Sequence, residues 1–411
     1  MKKIKVKPEN AVQISAFLLP AALMLVLFMI KRIYPFGDRS FLSGDLYHQY
    51  MPFFSELLHK VKGGENLNFS FHAGIGSNFL ALFAYYLASP FHILGLITGE
   101  AHLVEFLGYI VVLKTGLCGL TACLYFQRHF HTKDIAVLFF SMFYAFSGFM
   151  AAYNYNIMWL DCVWVLPLIL LGLERLVKEG KCGLYCLTLA FSIYTNYYLS
   201  IMICIFLVLY FAVLLITERG NRLRRIGNFA VFSLLAGGMA AVLLIPSVCA
   251  ILQTDFGNAD FPKKVESYFS VLDMLARHCV CVYTERGLDH WPNIYCGSAV
   301  LMLIPMYLMN KRISMREKFC RLGLAGFLLI SFSTNILNFI WHGLNYPDSL
   351  PARQSFLYVF LVLVMCYDAW HHLQEAEAQQ ILYGYLFGVG FCLFCEKFIS
   401  HEDFEPGVKL L

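Results

Sequence analysis

The chain has 411 residues, 59% of them hydrophobic and only 14% charged, with a formal net charge of +4. Soluble domains carry roughly 25% charged residues, so this composition excludes an ordinary soluble enzyme and points to a polytopic helical membrane protein. The net charge says little by itself, but no basic stripe with interleaved aromatics accompanies it, which argues against a nucleic-acid partner.

Lys2, Lys3, Lys5 and Lys7 precede an uncharged run, Ala11 to Ile30. Basic residues ahead of a first span keep the N-terminus cytoplasmic. The run is too long for a signal peptide and lacks a small-residue cleavage site, so it reads as an uncleaved anchor. Further spans are expected at about 103–126, 135–152, 158–177, 184–197, 199–216, 228–248, 297–310, 319–335, 355–372 and 380–397. Several runs reach the roughly 20 apolar residues needed to cross about 30 Å of hydrocarbon. The expected fold is an all-α polytopic transmembrane helical bundle of about 11 spans.

The fifth and sixth spans come from one apolar stretch, Leu184 to Ile216, with basic ends on the same side. It must enter and return, with Thr195-Asn196-Tyr197-Tyr198 as its apex, and such short helices are expected to leave a cavity. Residues 79–97 are apolar enough to cross, but a crossing would put the basic cluster Arg128 to Lys133 outside. The charge rule favours a juxtamembrane helix broken at Pro90. The clusters Arg175 to Lys181, Arg219 to Arg225 and Lys311 to Lys318 are likewise expected on the cytoplasmic side.

Residues 31–102, 249–296 and 336–354 then face outward, the first with turns at Gly63-Gly64 and Gly74-Ile75-Gly76. The organisation reads as an anchor (1–30), a first outer loop (31–102), a core transmembrane module (103–248), a second outer loop (249–296) and a C-terminal transmembrane module (297–411). Most of the 14 cysteines fall in apolar helices, where Cys is a small buried hydrophobe. Cys279, Cys281 and Cys296 lie in an outer loop, where either of the first two could pair with Cys296. Their spacing makes no zinc site.

The polar residues with chemical potential fall in four places. In Gly44-Asp45-Leu46-Tyr47-His48-Gln49-Tyr50, just beyond the first span, Asp45 can take a proton from a hydroxyl and His48 can share its face. Tyr47 and Gln49 would then contact the substrate. The alternative is that Asp45 only caps a helix starting at Leu46. Two ligands at this spacing are too few to assign a metal, though a divalent ion is conceivable.

Lys114 lies in mid-span, where a charge needs a water-filled cavity, a phosphate, or a structural pairing with Glu105 or Asp161. Asp161 opens the fourth span among interfacial aromatics, to bind a sugar hydroxyl or to cap and pack the helix end. In the segment Asn345 to Phe356, Arg353 has the donor geometry for a phosphate, or for anchoring at a headgroup, and His342 lies nearby. There is no phosphate-binding loop, GxSxG elbow or HExxH helix.

GDLYHQYMPFFSELL (44–58), GIGSNFLALFAYYLASPFH (74–92), SGFMAAYNYNIMWLDCVWVLPL (147–168), SIYTNYYLSIMICIF (192–206) and LPARQSF (350–356) resemble the YfhO family of bacterial membrane proteins over nearly the whole chain. That family is in turn similar to GT-C glycosyltransferases, with an acidic residue in a long first outer loop that carries juxtamembrane helices. LKTGLCGLTACLYFQRHF (113–130) matches a pattern of that class.

The resemblance implies a plasma-membrane enzyme that transfers sugar from a polyprenyl-phosphate donor to an envelope polymer or glycolipid, such as lipoteichoic acid. By position Asp45 becomes the candidate base, with Lys114 and Arg353 at the donor phosphate; these last two assignments rest mainly on residue chemistry. Many members are longer, so this chain is expected to be a short member or a fragment. A flippase for lipid-linked sugars and a scaffold for envelope assembly are the rival expectations.

Overall fold

A computed structural model describes residues 8–254, 260–280, 282–347 and 349–398. Lys2, Lys3, Lys5, Lys7, Cys281 and Asp348 lie outside the described residues. The fold is all-α; among the described residues the one ladder is two residues long and antiparallel, Phe69–Ser70 with Ser77–Asn78, closed by the Gly74–Gly76 turn.

Every expected span is helical. Among the described residues, seven helices are long and apolar enough to cross a membrane, or eight if one bent pair counts as a span. Gly183–Thr195, Ala299–Met309 and Ser355–His371 are shorter apolar helices, and Met315–Ser333 completes the set. The bent pair is Phe79–Leu87 with His92–Thr98, turned by 105°. Pro90, which has no N–H to donate, sits in the break.

The chain divides into two compact units. The first comprises Met1–Tyr125, Asn154–Ile201 and Arg222–Ala259. There Ile157–Glu179 packs on Gly183–Thr195, which packs in turn on Arg222–Ile251. The first two approach closely, because a Cβ at Gly172 would lie 2.5 Å from the Tyr185 nitrogen. Glycine at this position lets the two backbones approach closely. The apex is at Asn196, whose side-chain oxygen accepts from the Leu199 N–H at 2.8 Å and starts the next helix, Tyr197–Thr217.

The anchor helix Pro8–Ile30 meets Leu103–His129 at a second close approach. A Cβ on Gly119 would stand 2.2 Å from the Ala16 carbonyl oxygen. Lipid supplies no hydrophobic drive between helices, so small residues that permit contact carry the association. Gly119→Val is therefore expected to destabilise the protein by about 1–3 kcal/mol through overpacking. A detergent melting curve overlapping that of wild type would contradict this contact.

The second unit comprises Phe126–Tyr153, Met202–Asn221 and Asp260–Leu411. Ala299–Met309 packs there against Ala378–Phe398 and Ser355–His371. Arg321 is buried between Asp368 (2.9 Å) and Glu317 (2.7 Å), so its charge is matched. Cys279 and Cys296 are both free thiols, and Cys279 packs with Cys395 and Cys392. A Cys279–Cys296 bridge is thus absent.

Candidate functional site

The site builds from the turn that follows Gly44. Gly44 has a φ of +50°, and a Cβ there would come within 3.4 Å of the Tyr155 ring, so a glycine suits the position on both counts. Its carbonyl accepts from the Tyr47 and His48 N–H groups, starting a π-helical turn, Leu46–Tyr50, that continues into the α-helix Met51–Gly63. A second π-helical turn, Phe83–Leu87, packs nearby. Such turns are rare and often mark functional sites.

Asp45 occupies the position before the turn but makes no capping hydrogen bond. Its partly exposed carboxylate has neither a hydrogen bond nor an ion pair among the described residues. The capping alternative therefore fails, because the carboxylate spends no lone pair on the helix. Tyr47 and His48 are exposed beside it, their rings edge-to-face at 5.1 Å.

Gln49 turns the other way and accepts from the Tyr86 hydroxyl at 2.7 Å. Tyr50 is fully buried, stacks edge-on against Tyr86, and donates to Asn156 Oδ1 at 3.5 Å. Burial, with Tyr85, Tyr86 and Asp45 close by, pushes the Tyr50 phenol far above its usual range, so it stays protonated and acts as a donor.

Asn156 links this turn to the buried charges. It precedes the helix Ile157–Glu179, whose first carbonyl accepts from Lys114 Nζ at 2.8 Å. Lys114 also donates to Asp161 Oδ2 at 2.8 Å and Ser89 Oγ at 3.3 Å, and both charged side chains are 0% exposed. The second Asp161 oxygen accepts from Trp164 Nε1 at 3.0 Å.

Two expectations are corrected by this geometry. Lys114 has three protons and all three are donated within the chain, which leaves none for a donor phosphate. Asp161 neither caps its helix nor faces a sugar; it is the counter-charge of Lys114.

The family comparison bears on the whole chain. A family model described as "Bacterial membrane protein YfhO" matches residues 15–404. The chain belongs to the YfhO family. No curated protein and no solved structure matches it significantly.

In this YfhO chain, Arg353 and His342 belong to the second unit. Arg353 is half-buried and turned back on its own loop, donating to the Leu350 (3.1 Å) and Ser349 (3.0 Å) carbonyls. His342 is buried, and its Nδ1 donates to the Asn338 carbonyl at 2.7 Å. Burial, reinforced by Arg353, lowers its pKa to about 3, so the ring is neutral.

A folded pKa below the unfolded value of 6.5 means that the unfolded chain binds the proton first. The contribution is complete above about pH 6.5 and erodes as pH falls toward 3. From neutral pH to pH 5 the expected loss is about 2 kcal/mol. His342→Gln should flatten that part of the stability profile in melts at the two pH values. An unchanged slope would contradict a neutral buried ring.

Among the described residues, no group of three or more His, Cys, Asp or Glu is placed to hold a metal ion. Sequence reasoning missed Tyr86 and Asn156 as site residues. Their signal was faint: Tyr85-Tyr86 and Asn154-Tyr155-Asn156 are polar breaks in apolar runs, of a kind also common at membrane interfaces.

Proposed function

We propose that this YfhO-family protein is a glycosyltransferase of GT-C type. It would move a sugar from a polyprenyl-phosphate donor to a cell-envelope acceptor, such as a teichoic acid, at the outer face of the bacterial plasma membrane. The observation that carries the reading is the unengaged carboxylate of Asp45, on a π-helical turn with His48 and Tyr47 exposed beside it. A carboxylate with free lone pairs can act as a base; one used as a cap or in an ion pair cannot do so without breaking that contact.

In the proposed step the acceptor oxygen forms a bond to the anomeric carbon while the bond to the donor phosphate breaks, with inversion. Asp45 takes the hydroxyl proton, and polyprenyl phosphate leaves with the electron pair. His48 orients the acceptor, and the Tyr50–Asn156 contact holds the turn. Lys114 acts by fixing the start of its partner helix.

A flippase reading draws on the intramembrane Lys114–Asp161 pair, a kind of feature transport proteins also carry. Purified protein in liposomes, given a labelled polyprenyl-phosphate sugar and an acceptor glycolipid, separates the two. Label appearing on the acceptor supports the transferase. Label crossing the bilayer while still on its donor favours the flippase.

A further inference from the structure

Two cavities share a wall where the first outer segment meets the start of the Leu103–His129 helix. The larger, about 410 Å³, is lined largely by apolar side chains that include Leu94, Phe106, Ile110 and Leu113. The smaller, about 190 Å³, is lined by Asp38, Arg39 and Glu105 among others. Tyr34, Glu105 and Tyr109 border both, and the Tyr109 hydroxyl donates to the Tyr34 carbonyl at 3.2 Å.

The charges here do not neutralise one another. Glu105 lies in the first turn of a membrane-spanning helix, and its Oε2 is buried with no hydrogen-bond partner. The side chains of Asp38, Arg39 and Glu105 form no hydrogen bond or ion pair among the described residues, although all three line the smaller cavity. Opposite charges thus face one space without meeting across it. A carboxylate in such a place calls for a cation that can enter.

We propose that the paired cavities bind a zwitterionic membrane phospholipid. The headgroup ammonium sits at Glu105 and Asp38, against the faces of Tyr34 and Tyr109, which suit a cation. The phosphate meets the Arg39 guanidinium, a natural donor for it. The first part of one acyl chain enters the apolar cavity. The occupant follows from charge complementarity: an anionic headgroup would satisfy Arg39 but oppose two carboxylates, and an uncharged lipid would leave all three charges unmatched. The site holds neither Asp45 nor any other residue of the proposed chemistry, so it stands apart from the sugar-transfer reading.

The test uses the purified full-length protein, delipidated in detergent and offered phosphatidylethanolamine, phosphatidylcholine or phosphatidylglycerol with identical acyl chains. Native mass spectrometry reads the retained lipid. Both zwitterionic lipids should be retained over phosphatidylglycerol by about tenfold, as expected for one charge-assisted contact. Glu105→Gln should bring that preference close to parity. Leu113→Trp, which fills the apolar cavity and leaves every charge in place, should lower zwitterionic retention by a similar factor.

Equal retention of all three lipids by wild type would overturn the proposal, as would wild-type zwitterionic retention in Leu113→Trp. If Glu105→Gln does not fold, Arg39→Gln gives the headgroup arm, with loss of zwitterionic retention expected and wild-type retention overturning the proposal. None of these readouts depends on sugar transfer.

Discussion

Lys114→Met is expected to destabilise the protein by about 3–5 kcal/mol, the usual effect of leaving one partner of a buried ion pair without the other. Asp161 is fully buried and would keep only its contact with Trp164 (3.0 Å), while the Ile157 carbonyl and Ser89 would each lose their donor. Removing both charges is a different perturbation. In Lys114→Met/Asp161→Leu no charge is stranded, and replacing a buried pair by apolar groups of similar volume is often neutral. Most of the lost stability should return, with coupling between the sites well above the scatter for independent positions. Melting curves of the two single variants and the double variant decide it. A single variant that melts with wild type would mean the pair is not buried as described.

Asp45→Asn is expected to leave melting unchanged and to lower sugar transfer by about 10²–10⁴-fold, the range for loss of a general base. Melting should hold because Asp45 makes no contact that folding requires: it does not cap, pair or hydrogen-bond among the described residues. The amide matches the carboxylate in shape but cannot accept the acceptor's proton. In cells with matched protein levels, envelope sugar incorporation should fall correspondingly. Undiminished incorporation would remove Asp45 from the reaction.

The helices were legible because long apolar runs admit little else in a bilayer, and charged or proline interruptions mark their ends. Pro90 and Asn196 both fall where the chain breaks. The partner of Lys114 was harder to read. Glu105 and Asp161 were both plausible, since a span shows depth roughly but not which face of the helix meets which neighbour. The packing around Gly119 and Gly172 sets those faces, and it depends on contacts distant in sequence. Asp45 was conspicuous in the chain, but whether its carboxylate was spent on a cap required the turn itself. Arg353 looked exposed to a ligand because a loop segment gives no hint that the guanidinium folds back on its own carbonyls.

The most direct test is a single-turnover comparison of wild type and Asp45→Asn in the same liposomes, with polyprenyl-phosphate sugar bound and a glycolipid acceptor added. Sugar should pass to the acceptor in wild type and at least about a hundredfold more slowly in the variant, with donor binding intact. Equal rates in the two proteins, at equal donor occupancy, would show that the proton goes elsewhere.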